Sequence, residues 1–123
     1  MKQKYIVDDI VMYKNRIHTI IDTLGLNNYE LSYVRHPVNQ AELSGVPLTP
    51  EILEKNGWKH KKEFGEYWFI PRNEDYELLA LDKVVEEWAI YIEENCSNFE
   101  YIKFVHQLQH LLFGLGLNSE MEV

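Results

Sequence analysis

The sequence has little cysteine, glycine and proline, and it has no long apolar run. Among its 123 residues there are one cysteine, six glycines and four prolines. The single cysteine, Cys96, has no second cysteine for an internal disulfide, which agrees with a reducing compartment. The apolar runs fall far short of the ~20 residues that cross a bilayer. The start of the chain also lacks the apolar core of a signal peptide. We therefore predict a cytoplasmic protein without a membrane segment.

An excess of positive charge is also missing. The chain has 20 acidic residues against 12 lysines and arginines, which gives a net charge of −8. Such a surface repels phosphate backbones, so general coating of nucleic acid is disfavoured. The hydrophobic residues make up 46% and the aromatic residues 13% of the chain, enough for a folded core. The length predicts one domain or two small lobes.

The negative charge is concentrated in one region. Between residues 73 and 100 nine acidic residues stand against Lys83 alone, whereas the other 95 residues contain 11 acids and 11 bases. The first interpretation is a solvated face of a sheet. The alternative is a docking surface for a basic partner, or a mimic of nucleic-acid charge, with Glu86 and Glu87 among its contacts.

The first third of the chain has the pattern of a β-meander. Residues 9–13 and 16–22 are rich in β-branched residues and are separated by the polar turn Lys14 and Asn15. A second turn at residues 25–28 precedes a strand in which Tyr29, Leu31 and Tyr33 alternate onto one face. Over about 30 residues the pattern resembles the opening of small β-barrels of the Tudor or KOW type.

The remainder of the chain predicts a second, α+β part. Residues 35–47 contain two prolines and are interpreted as a connector. Thr49 is placed as the N-cap of a short helix that begins at Pro50 and ends before Gly57. Residues 66–70 and 76–81 alternate as strands, and a closing helix is predicted over about 104–115. For residues 83–94 the spacing fits both a helix and a strand, and we favour a strand from about Trp88 to Glu93.

These patterns together predict an α+β fold. An N-terminal, small-barrel-like β-meander is followed by a helix, an antiparallel sheet and a C-terminal helix. We divide the chain into a β-meander lobe, residues 1–45, and an α+β lobe, residues 46–123, which can pack as one domain.

Two segments carry a family resemblance. Residues 46–58 read VPLTPEILEKNGW, and residues 102–113 read IKFVHQLQHLLF. They resemble an uncharacterised family of small proteins from prophages and mobile elements of gut bacteria, with the patterns PLT-E-LLKNGF and VHQLQNLYFALTG. This chain departs at His110, where the family pattern has Asn, and at residues 114–116. The resemblance implies a fold and a genetic context but no chemistry.

The closing helix supplies the metal candidates. His106 and His110 are four residues apart, so their imidazoles can project from one face and chelate an ion. The leucine stripe of the helix lies roughly opposite them, which predicts that both histidines face solvent or a second packing partner. A zinc protease would also need an acid directly after the first histidine, where Gln107 stands. We therefore predict no metal and no other cofactor, and hydrogen bonds from His106 and Gln109 that fix the helix.

The same helix becomes apolar on nearly all sides towards its end. Phe113 and Leu117 lie on the histidine side, so they need a second cover. The alternatives are the rest of the chain, a partner protein, or a second copy that forms a homodimer through this helix.

One basic cluster raises a nucleic-acid alternative. Lys61 and Lys62 lie in the segment from Lys59 to Trp68, close to Trp58, Phe64 and Tyr67. Cations next to aromatic rings are typical of single-strand platforms. Core aromatics beside a solvated turn give the same pattern.

Catalytic motifs are lacking in the sequence. There is no nucleophile elbow and no phosphate-binding glycine loop, and adjacent acids such as Asp8 and Asp9 are ordinary on a surface. We predict a non-catalytic accessory protein of a phage or mobile element that acts through protein contacts. The alternatives are a nucleic-acid-associated module that uses Lys59 to Trp68, and a small metal-dependent enzyme at His106 and His110.

Overall fold

The residue contacts divide the chain into two units that are not continuous in sequence. The structure, a computed structural model, describes residues 4–62, 66–71, 77–92 and 101–123. One unit comprises Met1–Pro47 and Phe104–Met121, and the other comprises Leu48–Lys103 and Glu122–Val123. The closing helix therefore belongs to the first unit, whereas the sequence-based division placed it with residues 46–123. The α+β class is confirmed, with two antiparallel sheets, a short central helix and a C-terminal helix.

The first unit contains a five-stranded antiparallel sheet built on the expected meander. Its strand order is β4-β3-β2-β1-β5, with a 3-10 turn at Gln40–Glu42 between β4 and β5. In this order the last strand returns to pair with the first, so that β4 and β5 form the two edges of the sheet. The strands are β1 (Ile10–Tyr13), β2 (Arg16–Leu24), β3 (Asn28–Leu31), β4 (Val38–Asn39) and β5 (Leu43–Gly45).

The turn between β1 and β2 has the conformation that its sequence predicts. Lys14 and Asn15 have φ values of 48° and 63°, and Tyr13 pairs with Arg16. Two consecutive left-handed residues give the turn a twist that matches the right-handed twist of the strands. The predicted hairpin is therefore confirmed.

Two expectations for this unit are wrong. Tyr33 is 99% exposed with a φ of 62°, so it does not share the buried face of Tyr29 and Leu31. The strand ends at Leu31, before the left-handed residue can continue the alternation. Residues 35–47 also do more than connect, because they supply both edge strands of the sheet and the 3-10 turn. Asn39 and Glu42 cap that turn reciprocally: the Asn39 side chain accepts from Ala41 N–H, and Glu42 accepts from Asn39 N–H.

The core of the first unit is aromatic and β-branched. Its largest fully buried side chains include Tyr5, which precedes the sheet. A register shift between Ile20 and Asp22 turns Ile21 outwards, where it is half exposed. The core cluster consists of Tyr5, Val11, Tyr13, Ile20, Tyr29, Leu31, Val38 and Leu43.

The second unit contains the helix α1 and a second antiparallel sheet of order β10-β9-β8-β7-β6. Helix α1 (Pro50–Lys55) begins as predicted, since the Thr49 side chain accepts from the Ile52 N–H and Pro50 is the first helical residue. The strands are β6 (Lys59–Lys61), β7 (Tyr67–Pro71), β8 (Glu77–Val84), β9 (Glu87–Ile92) and β10 (Tyr101–Ile102).

The ambiguous segment, residues 83–94, forms a hairpin as far as the structure describes it. Strand β8 ends at Val84, a turn follows at residues 85–86, and β9 pairs back with Lys83 opposite Trp88. The preference for a strand is thus confirmed over residues 87–92. Trp88 is fully buried, and its indole N–H donates to the Leu48 carbonyl at 3.0 Å. This bond satisfies the one polar atom of a buried ring.

The C-terminal helix α2 (Val105–Gly114) begins where the chain returns to the first unit. The Val105 N–H donates to the Val46 carbonyl, and Gln107 Oε1 accepts from the Phe104 N–H. Gly45 permits the close approach of this junction, because a Cβ there would clash with the Phe104 ring. No helix in the described residues is long and apolar enough to cross a membrane.

Candidate functional site

The strongest polar arrangement in the first unit joins the start of the chain to helix α2. Nε2 of His110 lies 2.8 and 3.0 Å from the two carboxylate oxygens of Asp9. The Asp9 side chain is only 2% exposed, whereas that of His110 is 36% exposed. Because an ionised carboxylate only accepts hydrogen bonds, Nε2–H of His110 is the donor in this contact.

A tight turn before β1 holds the carboxylate in place. Asp9 Oδ2 accepts from the Ile6 N–H at 3.0 Å, and the Asp9 N–H donates to the Ile6 carbonyl. Asp8 has a φ of 76°, a conformation that aspartate tolerates better than most residues. Two further bonds tie the turn to Ile20 of β2, at 2.8 and 2.9 Å. Burial raises the pKa of Asp9, while the Ile6 N–H and His110 oppose that rise.

Gln109 fastens the same turn to the helix. Its Oε1 accepts from the Ile10 N–H at 2.9 Å, and its Nε2 donates to the carbonyls of Asp8 and Ser119. Gln109 is buried, and these bonds satisfy backbone groups at the start of β1 and after the helix. The predicted hydrogen-bonding role of Gln109 is confirmed.

His106 is buried, unlike His110. It is 3% exposed and packs against the rings of Tyr5 and Phe104, at 5.0 and 5.7 Å between centroids. Of the two predicted surroundings, solvent or a second packing partner, His106 has the second, because the segment around Tyr5 covers that side of the helix. Within the described chain Nδ1 of His106 has no hydrogen-bond partner, so the predicted fixing bond is absent there. Burial lowers the pKa of His106 to about 4.

The two histidines do not assemble a metal site in the part of the chain that is described. Their ring centroids are 5.8 Å apart, at an interplanar angle of 73°. Among residues 4–62, 66–71, 77–92 and 101–123 there is no cluster of three or more His, Cys, Asp or Glu residues that could hold an ion. Cys96 lies outside these ranges.

A cleft of about 390 Å³ opens beside the His110–Asp9 pair. Three of its walls are apolar side chains that are exposed to solvent: Ile6 at 42%, Val7 at 45% and Phe113 at 70%. Exposed apolar groups around a fixed polar floor are typical of binding surfaces. The cleft is lined by Ile6, Val7, Asp8, Asp9, Thr23, Gln109, His110, Phe113 and Ser119.

A second cleft of about 440 Å³ continues from the first. The two share Asp8, Gln109 and Ser119, and Leu117 lines the second one, half-buried. The predicted contact residues Phe113 and Leu117 therefore lie along one continuous surface. We call the lining of both clefts the α2 surface.

The basic and aromatic residues that raised the nucleic-acid alternative lie in the second unit. Trp58 and Trp68 are buried, and His60 is stacked on Trp68 at 4.4 Å, so these rings leave little face for a base to stack on. Lys61 and Lys62 are exposed, at the end of β6 and after it. Phe64 lies outside the described residues.

The acidic side chains of this unit that are described lie at its surface. Glu86 and Glu87 are exposed at the β8–β9 turn, as expected for a solvated sheet. A cleft of about 500 Å³ elsewhere in the unit is lined by Pro50, Glu51, Glu54, His60, Glu66, Trp68, Asp82 and Lys83.

The sequence did not predict the contact between Asp9 and His110 at the α2 surface. Asp8 and Asp9 had the weak signal of adjacent acids before a strand, but nothing linked them to His110, 101 residues further along the chain. Ile6 and Val7 carried no signal at all. No protein-family model, curated protein or solved structure matches the chain.

Proposed function

We propose that this protein is a non-catalytic binding protein that acts through protein contacts at the α2 surface. The observation that carries the proposal is the exposure of Ile6, Val7 and Phe113 around one cleft. Aromatic side chains, phenylalanine among them, are enriched in protein interfaces relative to the rest of the surface.

The rigidity of the cleft supports the same function. Bonds from Gln109, Ile20 and Ile6 fix the turn that forms its floor. A surface that is ordered before binding loses less conformational entropy when a partner docks. The resemblance to prophage proteins supports a cytoplasmic accessory role in a phage or mobile element.

Site-specific cross-linking tests this proposal. A photoreactive phenylalanine analogue replaces Phe113 in one variant and Leu26 in a control. Leu26 is 67% exposed in the turn between β2 and β3 and lines neither cleft. We expect one defined protein adduct at position 113 and none above background at position 26.

The adduct must then be reproduced with purified components. The protein identified at position 113 is expected to bind the wild-type chain and to lose about tenfold in affinity with Phe113→Ser. The same change at Leu26 is expected to have no effect. Equal adducts at both positions, or an unchanged affinity with Phe113→Ser, would contradict the proposal.

A further inference from the structure

The two clefts of the α2 surface carry charge of one sign. Asp8 and Glu120 are exposed, and buried Asp9 contributes a third carboxyl group. His110 is the one basic side chain among the described lining residues, and none of them is Lys or Arg. A concave surface of this kind concentrates cations and repels anions.

The apolar walls narrow the kind of cation that fits. Ile6 and Val7 offer aliphatic contact next to Asp8, and the exposed Phe113 ring offers a face to a cation. Lys and Arg side chains combine an apolar stem with a charged end, so they can use both features at once. A simple metal ion would leave the apolar walls uncovered.

The backbone that carries Asp8 is also ordered in advance. The Asp8 carbonyl accepts from Gln109 Nε2, and the Asp8 N–H donates to the Ile20 carbonyl. The Asp8 side chain therefore projects from a fixed backbone. A charge on an ordered backbone loses less conformational entropy when a partner docks than one on a free loop.

We infer that the partner docks on the α2 surface through a segment in which Lys or Arg alternates with apolar side chains. The cations would lie against Asp8 and Glu120, and the apolar side chains would cover Phe113 and Leu117. This inference rests on the proposed function and adds the chemistry of the partner to it. It excludes an acidic protein and a nucleic-acid backbone as the occupant.

Short peptides of defined charge test the inference by NMR titration of the full chain. The probe is an acetylated and amidated peptide of alternating leucine and arginine, and its matched control has glutamate in place of arginine. We expect the arginine peptide to shift the amides of residues 6–9 and 109–120 saturably, and the glutamate peptide to leave them unchanged. Binding should weaken as salt is added, because the contact is partly electrostatic.

Charge variants locate the contact. Asp8→Asn combined with Glu120→Gln is expected to weaken the arginine peptide about threefold to tenfold. Glu30→Gln removes an exposed acid of β3 that lines neither cleft, and it should leave the affinity unchanged. Phe113→Ser should weaken binding as well.

Several results would overturn the inference. They are equal binding of both peptides, shifts confined to the acidic cleft of the second unit, unchanged affinity in the double variant, or no binding up to about 1 mM. An adduct at position 113 that is a second copy of this chain would also overturn it. If the partner found at position 113 needs Phe113 but ignores Asp8 and Glu120, the charge claim fails while the proposed function stands.

Discussion

Each of the two units has a histidine paired with a carboxylate at the edge of a cleft. Nε2 of His110 lies 2.8 Å from Asp9, and Nε2 of His60 lies 2.7 Å from Glu66. The distances are nearly the same, but the carboxylates are 2% and 54% exposed. Water screens the second pair and not the carboxylate of the first, so the two contacts differ greatly in energy. Distance alone does not rank such pairs.

The surroundings of the pairs widen the difference. Asp9 also accepts from the Ile6 N–H, and its turn is bonded to β2 and to Gln109. His60 is held mainly by its stacking on Trp68. Removing Asp9 would therefore disturb several buried groups, whereas removing Glu66 would expose a ring that already meets solvent.

The largest effect is expected from Asp9→Ala. It leaves the Ile6 N–H without its side-chain acceptor and removes the partner of His110, which should lower the free energy of unfolding of the first unit by about 3 kcal/mol. Urea unfolding followed by NMR signals of residues 10–31 measures it. Asp9→Asn keeps an acceptor and should cost less. A decrease in the free energy of unfolding of less than about 0.5 kcal/mol would show that the His110–Asp9 pair is no stronger than an exposed one.

The second unit serves as an internal reference for this measurement. All three tryptophans of the chain, Trp58, Trp68 and Trp88, belong to it. Their fluorescence therefore reports its unfolding separately from the signals of the first unit.

Local features of the fold were predictable because the residues that decide them are close in sequence. Thr49 and Pro50 start α1 through contacts within one turn, and Lys14 and Asn15 set the first hairpin in the same way. Alternation of apolar residues favoured a strand in the segment that forms β9, and the pairing of β9 with β8 confirms it.

The site was much harder to predict, because its contacts join distant segments. Helical periodicity locates the side of α2 that faces one partner: Leu108 and Leu112 of the predicted stripe are buried, whereas Leu115 is 39% exposed. It carries no information about the segment around Tyr5, which covers His106 from a second direction. The pairing of Asp9 with His110 depends on the same packing, so no spacing rule could reveal it.

His106, unlike His110 and His60, is not paired with a carboxylate in the described part of the chain. His106 packs against Tyr5 and His110. Burial of the ring, together with His110 and the charge of Lys4, lowers the pKa of His106 to about 4 in the folded state. In the unfolded chain His106 has the ordinary histidine pKa of about 6.5. Stability should therefore fall as the pH drops from 6.5 towards 4, by about 1.5 kcal/mol between pH 6.5 and 5.

The measurement is the difference in unfolding free energy between wild type and His106→Leu across that pH range. The difference removes the contribution of Asp9, whose raised pKa acts in the opposite direction by favouring the folded state at low pH. His36→Gln changes an exposed histidine and should keep the wild-type slope. If His106→Leu keeps the wild-type dependence of the unfolding free energy on pH, the pKa of His106 is not lowered on folding.

The smallest effect is expected from Glu66→Gln, the counterpart of the Asp9 variants. The carboxylate of Glu66 is 54% exposed, so its loss should change the unfolding free energy of the second unit by less than about 0.5 kcal/mol. What remains of the contact should disappear at high salt, whereas the cost of Asp9→Ala should persist, because salt screens exposed charges and not buried ones. Tryptophan fluorescence during urea unfolding at low and high salt measures the effect of Glu66→Gln, and the NMR signals of residues 10–31 under the same conditions measure the cost of Asp9→Ala. A salt-resistant loss of 2 kcal/mol or more, about the size of a broken buried pair, would mean that stacking on Trp68 shields the His60–Glu66 contact as fully as burial shields Asp9.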